Sequence, residues 1–158
     1  PNSQALVTPV LGTPTSGTLT NCTGLPLAGL ATSAKTEAIG IAGGDETTVL
    51  AVADGVTEFQ LPYGFELTSV RATLTTAGTT SGVTTIDIED DGTSIFATLL
   101  TIDATAKTST SAATAFDFTA SASSLTLGDG SVMKINVDGL SGGATEAGLK
   151  IWLIGYQT

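Results

Sequence analysis

Two regimes of hydrophobic patterning divide the chain. From Thr47 onward, short runs of β-branched and aromatic residues alternate with Gly, Asp, Asn and Ser, the pattern of strands joined by turns. In "VMKINVDG" the apolar residues Met133, Ile135 and Val137 recur at every second position, which places them on one face of a strand. In "FELTSVRATLT" the parity is odd at Phe65 and Leu67 and even at Val70, Ala72 and Leu74, so the alternation slips at Thr68-Ser69 and predicts a β-bulge there. "VTTIDIEDDGTSIFATLL" predicts a hairpin, with Ile86 and Ile88 inward, a turn at Asp90-Asp91-Gly92, and Ile95, Ala97 and Leu99 on one face of the return strand. Asp129-Gly130 supplies another turn. Strands are predicted over 47–53, 57–61, 65–76, 83–89, 93–102, 113–119, 124–127, 131–137 and 148–156.

The last of these, "GLKIWLIGY", is apolar on both faces, with Leu149, Ile151 and Leu153 on one and Trp152 and Ile154 on the other. Such a strand is either central and covered on both sides, or it turns one face to an arm or another subunit. Many short strands at close spacing without a long helical period predict an all-β domain, an antiparallel β-sandwich of jelly-roll type. Ile86, Ile88, Ile95, Ile135, Ile151, Trp152 and Ile154 are its expected core or subunit face.

Residues 1–45 read differently. Leu6, Val7, Val10, Leu11, Leu19, Leu25, Leu27 and Leu30 follow neither the helical nor the strand period, and four of the five prolines fall here. Those leucines are too numerous for a flexible linker, which is rich in Gly and Ser and poor in apolar residues. The expected organisation is an extended arm over 1–45, lying along another surface, followed by a sandwich over 46–158; a helical turn within 31–44 is the one regular element weighed for the arm.

Composition narrows the chemistry. Asp and Glu number 15 against 5 Lys and Arg, a net charge of -10, so nucleic acid is a poor partner for this chain. Hydrophobic residues make up 41% and charged ones 13%, which argues for folding rather than disorder. No apolar run is long enough for a membrane-spanning helix and no signal segment is evident, so synthesis in the cytoplasm without membrane association is expected. Cys22 is the single cysteine and histidine is absent, which removes an intrachain disulfide, a Cys-His or Ser-His-Asp nucleophile and a His-ligated metal. The Asn21-Cys22-Thr23 sequon carries meaning only in a secreted chain.

Two carboxylate arrangements merit weighing. Glu58 with Glu66, or Asp87 with Glu89, formally suits glycoside cleavage, but the aromatic residues that would bind sugar are few. "DIEDDG" places Asp87, Glu89 and Asp91 at the first, third and fifth positions of a calcium loop, and Thr98 then stands where the bidentate Glu is required. An acidic solvated hairpin tip accounts for the same residues. "GGDET" and "SGGATEAG" lack the Lys and the strand-to-helix setting of a phosphate loop. Trp152 reads as core. No cofactor and no enzymatic activity are expected.

The segments "FQLPYGFELTSVRATLTTAGTTSG", "DGTSIFATLLTIDATAKTSTSAATAF" and "GLKIWLIG" resemble a β-rich module of the structural proteins of tailed bacteriophages, in which an "F.(I/L)PY.FTLT.VRA" start, an "(N/D)GTSI(F/L)...LTIDA..KTS" middle and a "GLKV.LIG" end recur. "GTPTSGTLTNCTGLPLAGL" is similar to the Gly/Thr/Pro-rich connectors of phage fibre and virion proteins. The acidic "IEDDG" turn and the long "TTAGTTSGVTT" loop depart from that pattern. The resemblance implies a non-enzymatic virion protein on the capsid surface, a decoration or cement protein that docks on the major capsid protein or other virion proteins as a homotrimer, the arm acting as anchor and cross-brace. A tail or head fibre component whose sandwich contacts host glycan through Asp87–Asp91 or Tyr63 is the alternative. A carbohydrate-binding module unrelated to virions would need a row of exposed aromatic residues.

Overall fold

The computed structural model describes residues 30–158. One helical turn, α1 (Thr32–Lys35), runs into β1 (Thr36–Ala42) and is followed by β2 (Ala53–Gln60), β3 (Phe65–Thr73), β4 (Val83–Asp90), β5 (Thr93–Ser94), β6 (Phe96–Thr98), β7 (Leu100–Asp103), β8 (Asp117–Phe118), β9 (Leu125–Leu127), β10 (Val132–Gly139) and β11 (Lys150–Gln157). The first sheet has the order β1-β11-β3-β9; the second is β2-β10-β4, with β5 and β7 both on the far edge of β4. All pairings are antiparallel. With β5 and β7 taken as one interrupted strand, successive strands cross between the two sheets except at the β4–β5 hairpin, which is the order of a jelly roll, the all-β architecture the sequence predicts.

The inner faces form one core. Phe65, Leu67, Val70, Ala72, Ile151 and Leu153 of the first sheet meet Ile86, Ile88, Met133, Ile135 and Val137 of the second, all buried. Each set alternates along its strand, so burial of alternate side chains fixes the register. The bulge lies where the parity slips: Ile154 pairs with Ser69 and Gly155 with Leu67, leaving Thr68 as the extra residue. The acidic hairpin turns through Asp91 and Gly92 at φ 48° and 81°, the left-handed pair of a two-residue type I′ turn.

Three expectations are corrected. The return strand does not continue over 93–102: Ile95 and Phe96 are both buried, Ala97 is exposed and Leu99 half-buried. Pairing with β4 passes from Glu89↔Ser94 to Ile86↔Leu100, and the residues between step off the sheet so that β6 pairs with β8. The cause is non-local, a cluster in which Phe96 stacks on Phe118 with Phe116 edge-on to both. Residues 47–53 form no strand beyond the bridge Val49↔Ala147 and the start of β2. There the Asp45 carboxylate accepts the N–H groups of Thr47 and Thr48 at 2.7 and 2.6 Å, an Asx turn that competes with sheet pairing.

The third correction concerns the boundary of the body. Residues 36–42, assigned to the arm by composition, are β1, and Ala31–Thr158 form one compact unit. Ile39 and Ile41 turn towards the core while Ala38, Gly40 and Ala42 are exposed; with only small residues on the outer face, the alternation escapes a search for hydrophobic contrast. Leu6, Val7, Val10, Leu11, Leu19, Leu25, Leu27 and Cys22 lie outside the described residues. Leu30, at their edge, is exposed.

Candidate functional site

The outer face of the first sheet carries the most distinctive chemistry. Register places Thr36, Ala38, Gly40 and Ala42 of β1 beside Tyr156, Ile154, Trp152 and Lys150 of β11, and these in turn beside Glu66, Ser69, Arg71 and Thr73 of β3. Ile151 and Leu153 are buried on the inner face, whereas Trp152 is 41% exposed and Ile154 half-buried on the outer. Strand β11 is therefore central in its sheet but not covered on both sides by the described residues. This corrects the reading of Trp152 as core, while Ile86, Ile88, Ile95, Ile135 and Ile151 all stand in it.

Trp152 leans on β1. A Cβ at Gly40 would meet its Cζ3 at 2.7 Å, so the absence of a side chain there lets the six-membered ring settle against the backbone. Arg71 stands directly across β11 from Gly40, on the other side of Trp152. The bulge decides this juxtaposition: continuing the pairing of Gly155 with Leu67 would set Trp152 against Val70, and the extra residue Thr68 advances the register by one. Neither the guanidinium of Arg71 nor the indole N–H of Trp152 bonds to any described residue.

Residues 107–110 form the far rim. Leu74 N–H donates to the Lys107 carbonyl at 2.9 Å, Ala72 N–H donates to Ser109 Oγ at 2.9 Å, and Thr73 bridges to Thr108. These bonds occupy the stretch of the β3 edge that β9, paired only with residues 65–67, leaves open. Thr108 caps the short 3-10 turn Ser109–Ser111 by accepting from Thr110 N–H. A cleft of about 410 Å³ lies between Trp152 and Ile154 on one side and Thr73, Thr108 and Thr110 on the other, with Arg71 in its wall. A second cleft, about 310 Å³, shares Arg71 and Thr110 and extends to Ala115 and Phe116. At the other end of the face Lys35 sits 4.8 Å above the Tyr156 ring.

The acidic turn is arranged otherwise. Asp87 Oδ1 accepts from Ser94 Oγ and from Ile88 N–H, Glu89 accepts from Asn136 Nδ2 and pairs with Lys134, and Asp91 Oδ1 accepts from Val132 N–H. Each carboxylate has its own protein partner, and among the described residues no three acidic or cysteine side chains group as metal ligands. Lys134 bridges Glu89 and Asp54, which raises its pKa. Asp138 is pushed up by burial and by the charges of Asp87, Asp54 and Glu89. Of the three residues weighed as a calcium set, Glu89 is salt-bridged on β4, Asp87 is engaged by Ser94 and the Ile88 N–H, and Asp91 stands in the turn, tied to Val132.

Of the two carboxylate pairs weighed for glycoside cleavage, Asp87 and Glu89 share strand β4, whereas Glu58 and Glu66 separate. Glu58 lies on the second sheet and Glu66 on the first, where Ser124 and Thr126 donate to it and lower its pKa. Tyr63 is half-buried, and burial together with the nearby Glu37 charge raises its pKa. It is not the exposed contact residue expected.

One buried acid has no counterpart in the sequence reading. Glu146 is 0% exposed in the loop joining β10 to β11. Its Oε1 accepts from Ser141 N–H at 2.8 Å, from Thr84 Oγ1 at 3.0 Å and from the Ser141 hydroxyl. Its carbonyl accepts from Leu50 N–H at 2.7 Å, so one residue ties the loops before β2 and β11 to the start of β4. The loop between β3 and β4 packs closely on this corner: a Cβ at Gly78 would collide with Ser141 Oγ and Glu146 Oε1.

No protein-family model, curated protein or solved structure matches the chain.

Proposed function

We propose that this chain is a non-enzymatic structural protein of a tailed-phage virion, a decoration protein that docks on the major capsid protein as a homotrimer. One observation carries the reading. The three segments that resemble phage virion modules, far apart in sequence, meet on one jelly-roll face as β3, the 107–110 rim and β11. Jelly rolls are a common architecture of viral shells, an argument by analogy of fold that gains its direction from those motifs. The Pro- and Leu-rich residues 1–30 supply the anchor in this reading.

A tail or head fibre component is the second reading, favoured by the open Trp152 cleft, which suits a ligand better than a flat lattice contact. Copies per purified particle, measured by quantitative mass spectrometry against the major capsid protein, separate the two. A ratio of the order of one to one is expected. A few copies per particle would move the chain to a fibre, and its absence from particles would overturn both.

A further inference from the structure

We infer that the cleft between Trp152 and Thr108–Thr110 is a binding site for a carboxylate-bearing saccharide, the sugar ring lying against the indole and its carboxylate paired with Arg71. The inference concerns the isolated chain and holds whether the protein sits on a head or a fibre.

The chemistry follows from three features of the site. Trp152 offers a large flat apolar surface, held against the sheet by Gly40. Arg71 brings an exposed guanidinium, without a partner among the described residues, into a chain whose acidic residues outnumber basic ones 15 to 5. A guanidinium fork matches a carboxylate bidentately, and a single Arg suits a single carboxylate rather than a polyphosphate, which the net charge of -10 also disfavours. Thr73, Thr108 and Thr110 ring the cleft with hydroxyls that both donate and accept, as sugar hydroxyls do.

An extended peptide is the competing occupant, and backbone pairing argues against it. Strand β11 is paired on both edges, by β1 and β3, and the β3 edge at Ala72–Leu74 is taken by residues 107–109. No strand edge is left inside the cleft for a peptide to join, so recognition there rests on side chains. The same bonds preform the rim, which lowers the ordering cost of binding a small rigid ligand.

Trp152 is the only tryptophan, so its emission reports on this site alone. Purified full-length protein is titrated with a hyaluronan tetrasaccharide and with 3′-sialyllactose, using the methyl-esterified tetrasaccharide and lactose as neutral counterparts. A saturable emission change with at least one acidic sugar is expected, with affinity at least about tenfold above its neutral counterpart, as one charge-assisted pair supplies. R71Q should weaken binding by a similar factor while leaving the melting temperature unchanged, and R71K should fall between. W152A, followed by calorimetric titration, should lose binding. No saturable response by about 10 mM, equal response to the neutral sugars, an R71Q protein that binds like wild type, or a response confined to a poly-glutamate peptide would each overturn the proposal.

Discussion

Glu146 concentrates more of the fold in one side chain than any other acid among the described residues. Burial alone would push its pKa up, but the Ser141 hydroxyl, the Ser141 N–H and the Thr84 hydroxyl donate to the charged form and bring it below the ordinary value of 4.5. A carboxylate held below its unfolded value adds stability that is complete above that value and is lost as pH falls through the folded pKa. Glu146→Gln keeps the shape and the Oε1 acceptor but gives up the charge and buries an amide NH2 where Oε2 now lies without a partner. It should destabilise the protein by about 2 kcal/mol at pH 7, the scale of charge-assisted hydrogen bonds. Urea unfolding of both proteins checks this: the gap should narrow as pH is lowered below 4.5, and a gap independent of pH would mean that shape rather than charge matters.

At the scale of elements, the bulge in β3 and the β4–β5 turn predict opposite sensitivities for two glycines. Gly155 pairs with Leu67 beside the extra residue Thr68, and a Cβ there would lie 2.0 Å from the Glu66 carbonyl oxygen, a collision with backbone in mid-sheet. Gly92 has nothing within 4 Å of its absent Cβ, and only its φ of 81° resists substitution. Gly92→Ala should therefore cost about 1 kcal/mol, while Gly155→Ala should cost more than about 3 kcal/mol or prevent folding. Chemical denaturation ranks them, and an equal cost would show that the bulged register is not rigid. Both elements are legible in the sequence, the bulge from the parity slip at Thr68-Ser69 and the turn from Asp-Gly. What parity could not show is its consequence, that Arg71 rather than Val70 faces Trp152, because that needs the pairing partner as well as the bulge. The broken return strand was hidden for the same kind of reason: Phe96 turns inward for Phe116 and Phe118, about twenty residues on. In β1, Ala38, Gly40 and Ala42 removed the polar contrast that marks a strand, and in the last strand the double-sided apolar pattern was visible while the solvent on its outer side was not.

At the scale of the whole molecule, the jelly roll puts β1 at an outer edge of the first sheet, and that sets where the chain can be cut. Composition suggests a boundary near residue 45, yet a chain beginning at 46 would lack the strand that pairs with β11 along seven residue pairs from Thr36↔Tyr156 to Ala42↔Lys150. It would also lose the burial of Ile39 and Ile41, about 3 kcal/mol or more on area alone, and leave β11 as an open edge. A chain of residues 31–158 keeps the compact unit entire. It should melt cooperatively within a few degrees of the full protein, whereas residues 46–158 should aggregate or melt far lower. The shorter cut then becomes the clean test of anchoring: under the decoration reading, residues 31–158 should stay folded and fail to attach to particles stripped of the native protein, as cosedimentation would show. If they attach as the full chain does, residues 1–30 are not the anchor, and the contact must be sought on the sandwich, where a shell partner and a saccharide would compete for the same Trp152 face.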